Sequence, residues 1–504
     1  MGSLKPARLP PAPLNRPIVL AGFMAAGKST VGRLLAHRLG RHFADGDAEC
    51  ERRAGCSVRA LWERDGEAAF RALELEVTRE LLQRDDAPVI ALGGGALMTP
   101  EIQALVRQRA FCAWLDVPLG VAWERVEGAP GARPLAGDRA TFEALGAQRA
   151  ALYVRTADAI VAAEEAPEDV AGALAQQVWT RTGIAEIALR EGSVAIVDRA
   201  LSFVYERPVI ELDGGEDAKS VRALERLWRE LADLELERRD VVVCAGGGSV
   251  TDVAGLAAAT FRRGLAWLAV PSTLVGQVDA AIGGKTAINV AAKNDVGAFW
   301  QPSGVLCDPE LLETLPAREW AGGMAEVVKT ALLAGGRLWQ LVEGWEPGIG
   351  DRAARTELVQ RCAGVKTLVV AVDPEERGRR AILNLGHTIG HGIESVAGYG
   401  GLSHGECVSI GLVAALRLSE QLSGLEAGTA ERSAALLASH GLPVRAPGLD
   451  PAAVLAAMRH DKKRTAGTHR MVLLEAVGRP VFGVEVDDNA LADAVRVATA
   501  APLD

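Results

Sequence analysis

Asn384-Leu-Gly-His-Thr-Ile-Gly-His391, followed by His404-Gly-Glu406, is the stretch from which the organisation of this chain is read. The 504-residue chain has only 8 histidines, and three of them fall in this window. The spacing predicts a helix over Asn384–Glu394, which places His387 and His391 at i, i+4 on one face. His404 begins a second segment able to return to that face. A carboxylate from elsewhere would complete a two-histidine, one-carboxylate zinc site with an open position, as catalysis requires. The candidate is Glu326, in Gly322-Gly-Met-Ala-Glu-Val-Val-Lys329. Packed helix histidines are the bland alternative, and for His387 alone the better one; the whole constellation favours the metal.

Upstream of this window the chain alternates β and α. Val194–Val197 reads as a strand ending at Asp198, Asp213–Lys219 as a turn entering a helix, and Asp240–Cys244 as a buried strand. That strand opens onto Gly246-Gly-Gly-Ser-Val-Thr-Asp252. A strand, a triple glycine and then a helix suit a phosphate or pyrophosphate group. Leu265–Val270 is a further strand, followed by Pro271-Ser-Thr273. Cations accumulate here without forming a run: Lys285, Lys293, Lys329, Lys366, Arg380, Lys462 and Lys463. Singly each is more often solvent-facing; together they suit a substrate carrying carboxylate and phosphate.

The first half is read from Ile18-Val-Leu-Ala21 running into Gly22-Phe-Met-Ala-Ala-Gly-Lys-Ser29 and a helix over Thr30–Leu39. This is G-x-x-x-x-G-K-S between strand and helix. The glycines let backbone amides approach phosphate oxygens, the Lys28 ammonium reaches the β- and γ-phosphates, and Ser29 offers its hydroxyl to Mg²⁺. In Phe43-Ala-Asp-Gly-Asp47, strand alternation puts Asp45 and Asp47 on one side, one for the metal shell and one for an acceptor hydroxyl. Arg71, with Glu74 one turn on, is a fork for a carboxylate. Gly93-Gly-Gly95 after the strand Pro88–Leu92 lets a substrate lie against bare backbone. Gly128–Asp138, around Arg133, reads as a mobile lid. Arg149 is a second carboxylate clamp.

Composition bounds these readings. The chain is 49% hydrophobic and 24% charged, as a soluble globular protein of two or three domains would be. A net charge of −10 argues against nucleic acid as the default partner. The 7 cysteines are scattered, without a C-x-x-C pair, which fits a reducing cytoplasm. No run reaches the roughly 18 apolar residues of a membrane span. Met1–Pro17 is Pro-rich without an apolar core, and reads as a flexible leader over 1–16 rather than a signal peptide. Ala166–Trp179 reads as a closing helix, and Arg181–Ser193 as strand and turn. A boundary falls near 182, with a short linker that is not Gly/Ser-rich.

Over roughly Pro17–Trp179 the motifs resemble shikimate kinase. The resemblance implies an α/β P-loop kinase domain, a doubly wound parallel sheet, over 17–181. It implies ATP held by Ala25, Ala26, Gly27, Lys28, Ser29, Thr30, Arg125 and Arg133, with Mg²⁺ on Ser29 and Asp45. Shikimate would lie on Asp47, Arg71, Gly93, Gly94, Gly95 and Arg149, with Lys28, Asp47 and Arg133 catalytic. Ala25 stands where that family often has glycine. A gluconate kinase or a non-catalytic nucleotide-binding regulator is the alternative.

From about Ala185 onward the chain resembles 3-dehydroquinate synthase. The resemblance rests on Gly246–Asp252, Val278-Asp-Ala-Ala-Ile-Gly-Gly-Lys-Thr286, Gly323–Lys329, Asn384–His391 and His404–Glu406. It implies a Rossmann-like α/β NAD domain over 182–320 and an all-α metal and substrate domain over 321–504. It implies zinc, or cobalt, on Glu326, His387 and His404, which leaves His391 to the catalytic pocket with Lys285 and Lys329. NAD⁺ would lie on Asp198, Glu216, Lys219, Gly247, Gly248, Asp252, Ser272, Thr273, Lys285, Lys293 and Thr314. Substrate contacts would be Arg263, Asp279, Lys285, Asn294, Lys329, Lys366, Arg380, Asn384 and Lys462, with Arg263 crossing a homodimer interface. The segment between Asp198 and Glu216 is shorter than usual in that family. The expectation is a bifunctional enzyme acting on shikimate and a heptulosonate phosphate. The alternatives for the second half are a related sugar-phosphate cyclase and a metal-dependent polyol dehydrogenase.

Overall fold

The computed structural model describes residues 15–127, 138–191, 193–203, 207–398, 401–459, 464–465 and 468–501. Most of the expected leader, the lid with Arg133, and Lys462 and Lys463 lie outside the described residues. The chain divides into two compact units. One comprises 1–245, 250–270 and 284–307; the other comprises 246–249, 271–283 and 308–504.

The first unit holds two parallel sheets. Strands β1 (Ile18–Ala21), β2 (Phe43–Asp45), β3 (Val89–Ala91), β4 (Phe111–Asp116) and β5 (Ala159–Ala162) form one sheet in the order β2-β3-β1-β4-β5. Its central strand β1 is buried throughout and apolar at every position, as a strand covered on both faces must be. The second sheet contains β6 (Val178–Thr180), β7 (Val194–Asp198), β8 (Val209–Leu212), β9 (Val241–Gly246) and β10 (Ala266–Pro271). A hairpin, β11 (Lys285–Ile288) with β12 (Val296–Phe299), leads to its last strand, β13 (Gly304–Cys307). The order is β6-β13-β10-β9-β7-β8.

Two expectations fail at the join. Ala166–Trp179 is not one helix: the helix is Pro167–Ala175, and Val178–Thr180 leaves it as β6. Arg181–Ser193 is not strand and turn but largely a helix, Ile184–Glu191. β6 pairs in parallel with β13, Val178 opposite Val305 and Thr180 opposite Cys307. On its other side Thr180 N–H donates to the Asp158 carbonyl, just before β5, at 2.7 Å. Arg181 closes the joint. Its Nε lies 2.5 Å from Asp158 Oδ1, Nη2 donates to the Ala110 carbonyl at 2.8 Å, and its N–H donates to the Cys307 carbonyl at 3.0 Å. Trp179 stacks on Phe111 with centroids 4.9 Å apart. One short strand therefore belongs to the second sheet while its flanks are fastened to the first.

The second unit is mainly helical. Its helices include Ala317–Ala334, Arg352–Val372, His387–Ala397 and His404–Leu422. A small antiparallel sheet of β14 (Arg464–Thr465), β15 (Thr468–Ala476) and β16 (Arg479–Asp487) closes a core built on Ile389, Ile393, Ile410, Leu473 and Val495. Among the described residues no helix is long and apolar enough to cross a membrane.

Candidate active sites

In the first unit, β1 delivers the chain into Gly22–Ser29. Gly27 (φ 82°) caps the helix Lys28–Leu39 in a left-handed conformation, and Ala25, within the loop, also has a positive φ of 58°. That conformation costs an alanine about 1 kcal/mol relative to glycine, the physical content of the departure at Ala25. Lys28 Nζ donates to the Gly22 and Phe23 carbonyls at 2.9 and 3.0 Å, which folds the ammonium over the loop. Ser29 Oγ donates to Asp45 Oδ2 at 2.5 Å, so the two expected magnesium ligands are already neighbours. Arg125 reaches the same loop at the Ala25 carbonyl, 3.3 Å away.

The structure corrects the reading of Asp45 and Asp47. They do not share a strand face: β2 ends at Asp45, whose carboxylate caps the helix Gly46–Ala54, and Asp47 lies in that helix's first turn. Asp47 nevertheless lines a cavity of about 280 Å³ with Arg71, Gly93, Gly94, Gly95 and Arg149. Arg71 Nη1 donates to the buried Glu74 carboxylate at 2.6 Å, and Arg149 Nη1 to the Gly94 carbonyl at 3.0 Å. A Cβ on Gly93 would lie 2.6 Å from Asp47 Oδ1, and one on Gly95 would lie 2.6 Å from Arg71 Nη2. A side chain at either position would push the end of Asp47 or Arg71 out of its present place in the cavity. Burial lowers the Arg149 guanidinium's affinity for its proton and raises that of Glu74, against the pull of Arg71. Sequence reasoning missed Trp62, which lines this cavity and lies under the Arg71 guanidinium at 5.5 Å from the ring centroid. Its only signal was its position two turns before Phe70.

In the second unit, the helix expected over Asn384–Glu394 begins instead at His387. Asn384 ends a 3₁₀ turn, Arg379–Asn384, and Gly386 is left-handed at φ 78°. A Cβ there would lie 2.8 Å from the Leu412 backbone, so the neighbouring helix dictates the glycine and with it the helix start. His387 and His391 keep their i, i+4 relation.

Glu326 is fully buried, and its Oε1 lies 3.5 Å from Nε2 of both His387 and His404. Metal–ligand distances near 2.0–2.1 Å put tetrahedral ligand atoms about 3.3–3.4 Å apart, so this triangle fits a zinc-sized divalent cation. His387 Nδ1 faces the Leu385 carbonyl at 3.2 Å, and His404 Nδ1 faces Glu394 Oε2 at 3.3 Å. His391 is outside the triangle, its ring 5.3 Å from that of His387.

Around the triangle stands a charged cluster. Lys329 Nζ is 2.5 Å from Glu326 Oε2 and 3.7 Å from Asp279 Oδ2, and Lys366 pairs with the other Asp279 oxygen. Burial opposes ionisation of Glu326, but Lys329 and His387 hold its carboxyl well below the ordinary range. Burial opposes the charge on Lys329 as well, and Asp279 and Glu326 outweigh it. At Lys366 burial wins and pulls the ammonium down. For His404, burial is outweighed by Glu326 and Glu394, which lift the ring to about 9; the same field favours a cation. Arg380 donates to the Pro374 and Gly283 carbonyls, and Asn384 donates to Glu376 Oε1 at 2.9 Å.

The expected cofactor residues divide between the units. In the first, buried Lys219 lies 2.5 Å from Asp252 Oδ2 and donates to Asn294, while Glu216 accepts from Asn289 at 2.7 Å. Asp198, at the end of β7, crowds Gly214, where a Cβ would lie 2.5 Å from its Oδ2. Lys285 and Lys293 are exposed, on the hairpin strand and its turn, and Arg263 sits in a left-handed turn at φ 65°. In the second, Gly247 lies against Thr273, Ser272 N–H donates to the Gly246 carbonyl at 2.9 Å, and Thr314 is exposed. The structure brings Asn294, expected on the substrate, to Lys219, expected on the cofactor.

Three family descriptions match the chain: shikimate kinase over residues 24–179, 3-dehydroquinate synthase N-terminal over 209–322, and 3-dehydroquinate synthase C-terminal over 323–464. The 3-dehydroquinate synthase of Methylacidiphilum infernorum is 38% identical over 320 residues, 62% of this chain and 88% of that protein. That of Neisseria gonorrhoeae is 43% identical over 283 residues, 56% of this chain and 79% of that protein. Among solved structures, 2-epi-5-epi-valiolone synthase from Streptomyces hygroscopicus subsp. jinggangensis, with NAD⁺ and Zn²⁺ bound, aligns with a TM-score of 0.59. It is 26% identical and covers 64% of this chain and 96% of that one.

Proposed function

This chain belongs to the 3-dehydroquinate synthase family and carries a shikimate kinase domain ahead of it, and we propose that both halves are active on the substrates those names imply. We assign 17–181 to the kinase, 182–320 to the NAD-binding domain and 321–504 to the metal and substrate domain. The kinase half transfers the γ-phosphoryl group of ATP to a shikimate hydroxyl, giving ADP, shikimate 3-phosphate and a proton. Loop amides and Lys28 neutralise the phosphates, and Ser29 with Asp45 would hold Mg²⁺, whose chemistry is charge neutralisation between phosphate oxygens. Arg71 and Arg149 take the shikimate carboxylate. Asp47, against Gly93, orients the acceptor hydroxyl and receives its proton as the new P–O bond forms.

The second half converts 3-deoxy-D-arabino-heptulosonate 7-phosphate to 3-dehydroquinate and inorganic phosphate, without net redox change. The observation that carries this is the convergence of Glu326, His387 and His404 beside Lys329, Lys366 and Asp279. When bound, a zinc or cobalt ion on that triangle supplies Lewis acidity at a ring hydroxyl, and NAD⁺ supplies reversible hydride acceptance. Lys329 and Arg380 offer positive charge to the substrate's carboxylate and phosphate. Lys366, whose charged form burial disfavours, and His391 move protons as the C–O bond to phosphate breaks. The family's dimer, with Arg263 reaching the partner copy, completes the reading. A reducing cytoplasm suits seven free cysteines.

A phosphate-release assay on the heptulosonate phosphate tests it. Release should need catalytic NAD⁺, stop with a chelator and return with zinc or cobalt; stoichiometric NADH would make the second half a dehydrogenase. Because the valiolone synthase shares this fold, a panel of seven-carbon sugar phosphates should show preference for the heptulosonate.

A further inference from the structure

His404 is held more elaborately than His387. The Nδ1 of His387 faces a backbone carbonyl, that of Leu385. His404 faces a side chain: its Nδ1 lies 3.3 Å from Glu394 Oε2, while its Nε2 points at Glu326 Oε1. Glu394 lies on the helix His387–Ala397, two turns beyond His387, so one helix supplies a ligand and also the carboxylate behind the other ligand.

The meeting is built into the packing. A Cβ on Gly411 would lie 2.2 Å from the Gly386 carbonyl and 2.6 Å from Gly390 N, and one on Gly390 would lie 2.9 Å from the Cys407 carbonyl. The helices His387–Ala397 and His404–Leu422 therefore cross backbone against backbone, which brings the first residue of one to the last turns of the other. His404 is also fixed from its own main chain. Ser403 and Glu406 form a capping box at that helix start, and Arg318 grips Glu406 with two bonds of 3.0 and 2.7 Å. Arg318 lies on the helix that carries Glu326.

We propose that Glu394 is a positioning residue for the cation: it holds the His404 proton on Nδ1, so that the Nε2 lone pair faces Glu326 and His387. This rests on the zinc reading above. A carboxylate behind a metal-bound imidazole fixes its tautomer and raises its basicity, and losing one typically costs 10–100-fold in metal affinity. Glu394, His391 and His404 also offer ligand atoms within 4.8 Å of one another, and a second cation held by these three is the rival reading.

The test uses the full chain, with zinc affinity and stoichiometry read by competition with a chromophoric chelator, and the cobalt-loaded visible spectrum alongside. The wild type should bind one ion in the second half. Glu394→Gln should weaken it 10–100-fold and shift the cobalt bands, with the metal-free melting temperature unchanged; Glu394→Asp should recover part of the affinity. Wild-type affinity in Glu394→Gln, or two ions of which that variant loses one, would overturn the proposal. His404→Ala separates the layers: if it too binds like the wild type, the zinc reading itself fails, whereas loss there beside an unaffected Glu394→Gln sinks Glu394 alone.

Discussion

Arg181→Met should lower the thermal stability of both halves together. Asp158 is 3% exposed, and in this variant its carboxylate would keep the Cys112 N–H bond of 2.7 Å and the weaker attraction of Arg107. Stranding one member of a buried ion pair costs roughly 3–5 kcal/mol. At about 2–4 °C per kcal/mol for a unit of this size, the melting temperature should fall by roughly 6–20 °C. Arg181 touches both sheets, through Asp158 and through the Cys307 carbonyl, and β6 between them is only three residues long. Heat inactivation of the two reactions should therefore shift in step, measured as ADP release and phosphate release after timed heating of the same sample. The double variant Asp158→Leu/Arg181→Met removes both charges and should recover most of the loss, because a well-packed apolar pair often matches a buried ion pair. A shift in kinase inactivation alone, or a total loss below about 1 kcal/mol, would refute the reasoning.

Lys28→Ala should abolish phosphorylation and leave phosphate release from the heptulosonate phosphate at the wild-type rate; parallel assays on one preparation check this, and joint loss would contradict two separate sites. Arg71→Ala and Arg149→Ala should each raise KM for shikimate about 10–100-fold with little change for ATP, since each removes a charge-assisted bond of about 1.5–3 kcal/mol. A matching rise in the ATP constant would count against the carboxylate assignment. Asp373 accepts from the N–H groups of Arg377, Gly378 and Arg380, which hold its carboxyl below the ordinary range although burial opposes them. The native pKa is the lower one, so its stabilisation is complete above the ordinary aspartate range and is lost as pH falls through the native value. Asp373→Asn should raise KM for the heptulosonate phosphate through Arg380 and flatten the acid limb of the stability profile; an unchanged profile would show that the turn does not depend on that charge.

Much of the sites was legible because their chemistry is local. Gly22–Ser29 needs its glycine and lysine in register, and three histidines in one window imply convergence whatever lies between. What was not legible came from contacts between distant segments. Gly386 starts the helix at His387 because the Leu412 backbone presses on it, and nothing in Asn384–His391 names Leu412. Asp47 leaves the strand because Asp45 caps a helix, a signal present in Asp45-Gly-Asp47-Ala-Glu49 but outweighed by a reading in strand alternation. Ile184–Glu191 has Ile184, Ala185, Ala188 and Leu189 buried, a helical period that was there to be read. β6 could not be read: three residues carry no period, and only β13 makes them a strand.

The join also bears on why the two activities share a chain. They are not consecutive steps of the route to chorismate, so handing a product across the join would serve neither reaction. The strand pairing offers a different reason. β13 is buried and apolar along its length, and without β6 its backbone would present an open edge, a liability for any sheet. β6 covers that edge, and its own outward Thr180 N–H is taken by the Asp158 carbonyl of the kinase half. The kinase thus finishes the border of the sheet that follows it. On this geometry the two halves share one strand, Val178–Thr180, and heating the Arg181→Met variant tests whether they also share their stability.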